Sequence, residues 1–79
     1  MNQYLKNEII KFQMDNIPIL EYKARVNKLR DKINNYINKE LLYLKKLLYG
    51  NKISPEEYHQ LKVIVEYQRI KYYQLVNQR

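Results

Sequence analysis

Five cations, Arg25, Lys28, Lys32, Lys39 and Lys46, recur along the middle of this chain at steps of three, four and seven residues. At about 100° per residue they fall within roughly 60° of one another on a helix. A row of this kind can follow a phosphate backbone, with binding that falls steeply as salt rises. The same spacing suits a solvated face whose lysine stems cover the edges of an apolar core. Composition supplies a second reason for the lysines. Lys, Asn, Ile and Tyr make up 38 of the 79 residues. All four are encoded by AT-rich codons, which suits a small phage or other mobile-element protein.

Other residue types that do chemistry are sparse. His59 is the only histidine and there is no cysteine, so no metal-ligand spacing exists and no disulfide can form. Glu56 and Glu57 are adjacent, so on a helix they diverge by about 100° and cannot share one substrate. Capping a helix start accounts for them. The sequence therefore assigns no catalytic, cofactor-binding or metal-ligating residue, and the expectation is a protein that is not an enzyme and needs no cofactor. Nine tyrosines stand against one Phe and no Trp. Tyr36, Tyr43, Tyr67 and Tyr73 are placed to stack or to bind a partner, although tyrosines at helical spacing more commonly edge a core with their hydroxyls wet.

Helices must position these residues. Asn16-Ile17-Pro18 opens the longest one, because proline suits a first turn where its missing donor would be orphaned anyway. Gly50, the one glycine, closes it as a left-handed C-cap. Between them Ile19, Tyr22, Val26, Leu29, Ile33, Ile37, Leu41, Leu44 and Leu48 form one apolar stripe at steps of three and four. At its far end Leu41–Leu44 and Leu47–Tyr49 are apolar on nearly every side. The cationic row lies beside the stripe.

Two shorter helices flank the long one. Asn2 caps the first, in which Leu5, Ile9 and Phe12 share a face. Asp15 to Pro18 breaks it and turns the chain back along the start of the second. Ser54-Pro55-Glu56-Glu57 is a capping box, with Ile53 and Tyr58 placed for a hydrophobic staple. The third helix shows two apolar faces. Tyr58, Leu61, Val65, Tyr72 and Leu75 form one; Val63, Tyr67 and Ile70 form another roughly opposite. Its last residues, 77–79, should fray.

The expected fold is all-α and single-domain over residues 1–79, with helices at about 3–14, 18–49 and 55–76. The last two form a long antiparallel hairpin. A core this small supplies only about 3–5 kcal/mol unless something assists it. Leu42, Leu47, Tyr49, Val63, Tyr67 and Ile70 exceed what three helices can bury. The expectation is a homodimer or higher oligomer that binds a protein partner through those residues and acts as a small regulatory protein. The alternative is a basic DNA-binding regulator using Arg25, Lys28, Lys32, Lys39 and Lys46. The net charge is +7, and residues 16–49 carry eight basic against three acidic side chains. No stretch reaches the roughly 18 apolar residues that span a bilayer. The first residues lack the apolar run of a signal peptide. A cytoplasmic location without membrane binding is the simplest expectation.

Overall fold

The computed structural model describes residues 2–77. Three helices follow in order: α1 (Gln3–Met14), α2 (Ile19–Tyr49) and α3 (Pro55–Asn77). The fold is all-α, with no strand among the described residues. The expected fraying falls mostly on residues 78 and 79, outside the described range; Asn77 is the last residue of α3.

The caps follow from the side chains present. Asn2 accepts the N–H groups of Tyr4 at 2.8 Å and Leu5 at 3.2 Å, satisfying two orphan donors of α1. At the start of α3 the capping box closes in both directions. The Glu57 N–H donates to Ser54 Oγ at 3.1 Å, and the Ser54 N–H donates to Glu57 Oε1 at 3.2 Å. Ile53 and Tyr58 are both half-buried beside it.

Both ends of α2 differ from expectation. The helix begins at Ile19, one residue later than the sequence suggested, and Pro18 is its N-cap at φ −57°, ψ 144°. Proline fixes φ but leaves ψ open, so an extended ψ costs it nothing. Its carbonyl still accepts the first helical N–H, from Tyr22 at 3.1 Å. At the other end Gly50 does not take the left-handed conformation; it sits at φ −83°, ψ 7°. Asn51, at φ 58°, takes that role instead. The Lys52 N–H donates to the Leu47 carbonyl at 2.8 Å and the Asn51 N–H to the Leu48 carbonyl at 3.1 Å. That pair of bonds is a Schellman closure centred one residue beyond the glycine. Asparagine tolerates the conformation because its short side chain hydrogen-bonds locally. Asn51→Val will therefore lower stability by about 1–2 kcal/mol, whereas Asn51→Gly will be neutral or better. Urea titration of the two variants measures the difference.

Two polar ladders set the register. Between α2 and α3, Arg30 meets Asn77 at 3.3 Å, Asn34 accepts the Tyr73 hydroxyl at 2.5 Å, and Asn38 accepts from Arg69 at 3.0 Å. Each advance of four on α2 is matched by a retreat of four on α3, so the hairpin is antiparallel and in constant register. Between α1 and α2, Asp15 pairs with Arg25 at 3.2 Å and Glu8 with Lys32 at 2.8 Å. These are steps of seven in opposite directions. Helix α1 therefore runs antiparallel to α2 and docks within its own chain.

Between the ladders lies the core: Leu5, Ile9 and Phe12 from α1; Leu29, Ile33, Ile37 and Leu44 from α2; Val65, Tyr72 and Val76 from α3. Burial raises the pKa of the Tyr72 phenol, against the opposing effect of the Asn2 backbone N–H, which donates to its oxygen at 2.5 Å. Tyr36 meets Tyr72 edge-on at 6.3 Å. Ile19 does not join the apolar stripe as expected: it is 91% exposed. It lies ahead of Tyr22, which packs on Phe12 at 5.4 Å, so α1 has already turned away at its height. The molecule measures 49 × 17 × 16 Å, which is the length of α2. Its twelve-residue α1 covers only part of that length.

Candidate interaction surfaces

The short reach of α1 divides the molecule into a three-helix part and a bare hairpin. On the α1–α2 register, Asn2 stands level with Asn38. Beyond that height, the side of the hairpin that carries α1 has no third helix among the described residues. The groove continues there between the two long helices. Tyr43 follows Leu29 and Tyr36 at seven-residue steps on α2. Leu61, Ile64 and Gln68 precede Tyr72 and Leu75 on α3 at steps of three and four. In this open stretch Tyr43 is 58%, Ile64 55% and Leu61 37% exposed.

The sequence-derived interaction residues do not form one surface. Val63, Tyr67 and Ile70 are 67%, 55% and 52% exposed and line one shallow depression on the outer side of α3, with His59, Lys62 and Glu66 around it. Leu42 and Tyr49, at 54% and 79%, lie on the back of α2, well over 100° around the helix from Ile33 and Leu44. Leu47 is different again. It is half-buried and packs against the core, because it falls on the continuation of the groove floor. These residues thus divide among an outer α3 patch, the rear of α2 and the open groove.

The cationic row is likewise divided. Arg25 and Lys32 are held by Asp15, the C-cap of α1, and by Glu8 of α1, along a cleft also lined by Lys28. The Arg25 guanidinium additionally lies 6.0 Å from the centre of the Phe12 ring. Lys39 and Lys46 are exposed and form no ion pair among the described residues. Among the described residues, then, three cations of the row, Lys28, Lys39 and Lys46, stand without an ion pair rather than five. The two acids of α1 were the feature that sequence reading left out. Their signal was available: Glu8 and Asp15 are seven residues apart, and so are Arg25 and Lys32.

The hydrogen bond from Lys32 holds the Glu8 carboxyl below its ordinary pKa of 4.5. The same bond raises Lys32 above its ordinary value of 10.5. A depressed carboxylate contributes stability above its unfolded pKa and loses it as pH falls through the folded one. The docking of α1 will therefore weaken from about pH 5 downward. Solvent screens a pair this exposed, so the effect is modest. Urea midpoints across that range should fall more in the native chain than in Glu8→Gln; equal slopes would contradict the pairing.

Among the described residues no group of three His, Cys, Asp or Glu stands close enough to hold a metal. No helix there is long and apolar enough to cross a membrane. The chain matches no protein-family model, no curated protein and no solved structure.

Proposed function

We propose that this chain is a small non-enzymatic interaction protein of regulatory type, which self-associates and binds a macromolecular partner. The observation that carries the reading is the outer patch of α3. Val63, Tyr67 and Ile70 stand open to solvent in a molecule whose core is already complete without them. Contiguous apolar surface rimmed by polar groups marks a contact site. The rim carries both signs, Lys62 and Glu66. A two-fold contact sets the same patch against itself, so a rim with both signs can be self-complementary.

Light scattering behind size-exclusion chromatography at micromolar chain concentration tests the reading. A mass of two chains or more is expected. Raising salt should strengthen the association, because it screens the mutual repulsion of chains that each carry +7. A single-chain mass at every salt concentration would remove the self-association.

A further inference from the structure

The α1 seat has a seven-residue grammar that does not stop where α1 stops. Arg25, Lys32, Lys39 and Lys46 follow one another on α2 at intervals of seven. The first two receive Asp15, the C-cap of α1, and Glu8 within it, seven residues apart; that helix buries Leu5, Ile9 and Phe12 in the groove. The next two stand exposed beside the open part of that groove, with no ion pair among the described residues. There Tyr43 and Leu47 supply one wall, Leu61 and Ile64 the other. A helix lying in that stretch would meet what α1 meets: an apolar trough with a cation on the α2 rim at every second turn.

We infer that the open groove receives an amphipathic helix of a partner protein, running antiparallel to α2, with two carboxylates seven residues apart for Lys39 and Lys46. Continuity with the α1 contact sets its direction, and charge sets its composition. The seat is about 15 Å long from Lys39 to Tyr49, room for roughly three turns. One position departs from the grammar. Glu40 is half-buried between Tyr36 and Leu44 on the same helical face, so the occupant places a donor or a cation against it. On the α3 lip Gln60, Ile64 and Gln68 carry no charge, and the ion pairs lie on the α2 side. This inference rests on the reading above for the chain's being an interaction protein. It places the partner in the groove and the self-contact on the outer α3 patch.

The probe is a helix-stapled, fluorescently labelled peptide with the sequence of residues 2–15 of this chain, titrated against the full-length protein by anisotropy. Saturable micromolar binding is expected. The double substitution Lys39→Glu with Lys46→Glu should weaken it by about tenfold or more. A peptide carrying Glu8→Lys and Asp15→Lys should bind that variant and not the native chain. Lys45→Glu, on another face of α2, should change little. Absence of binding overturns the inference. So does binding that responds to Arg25→Glu and Lys32→Glu alone, which would mean exchange into the α1 seat. Displacement of the peptide by a short DNA duplex would assign the lysines to phosphate instead. An oligomer that dissociates on Tyr43→Glu with Ile64→Glu would show a second copy in the groove, and that too overturns it. Peptide binding to a chain that scatters as a monomer would leave this inference standing and the self-association fallen.

Discussion

Phe12→Ala will cost most of the stability the fold possesses. Deleting a buried phenylalanine ring removes about 3–5 kcal/mol through lost transfer energy and the cavity left behind. A core of this size holds about that much in total. Phe12 is 1% exposed, packs on Tyr22 and lies against the Arg25 guanidinium. It is one of only three buried residues that α1 contributes. Loosening α1 has consequences on both neighbours. Asn2 would leave the Tyr72 hydroxyl and Gln13 the Leu75 carbonyl, and the two ion pairs to α2 would open. Tyr72, now fully buried, would then meet water. Helical circular dichroism at 222 nm should fall at room temperature, and the urea midpoint should move close to zero. Met14→Ala, at an exposed site on the same helix, should stay within about 0.5 kcal/mol. A Phe12→Ala chain with the native midpoint would mean that α1 is no part of the cooperative unit.

Much of this architecture was legible because helix signals are local. The Asn2 cap, the Ser54–Glu57 box and the periodic stripe through Leu29, Ile33, Ile37 and Leu44 each depend on residues within a turn or two. What lay beyond reading was set by pairs distant in the chain. Asn34 and Asn38 look like ordinary polar surface positions, yet they take Tyr73 and Arg69 and fix the hairpin register. Arg25 and Lys32 look like cations waiting for a ligand, yet α1 and its C-cap Asp15 supply their carboxylates. The choice of Asn51 over Gly50 as the left-handed residue turns on a one-residue offset, and propensity favours the glycine. Leu42, Tyr49, Val63, Tyr67 and Ile70 were legible as exposed apolar surface, whereas Leu47 packs against the core. Their separation into a groove, a rear face and an outer patch depends on how far α1 reaches, which register alone decides.

The second large effect concerns the proposed self-association and leaves the isolated chain's own stability nearly untouched. On that proposal Tyr67→Glu with Ile70→Glu gives single chains, with a melting temperature within a degree or two of the native chain's when both are measured dilute enough to be single chains. Both side chains are more than half exposed in the isolated chain, so the fold loses little when they change. In a two-fold contact each appears twice. Full burial of a residue of this size is worth about 1.5–3 kcal/mol, so even partial loss at both positions weakens association by about 100-fold or more. Carboxylates facing their own copies across a two-fold axis add repulsion. The Lys71 ammonium, 5.2 Å from the Tyr67 ring centre, would remain on the rim and could not neutralise both. Matching charges on the rear of α2, Leu42→Glu with Tyr49→Glu, provide the contrast: those sites are as open but belong to another face. A rear variant that falls to single chains while the α3 variant remains assembled would move the self-contact to α2. Loss of mass in both would require an interface that wraps the hairpin and is larger than either patch.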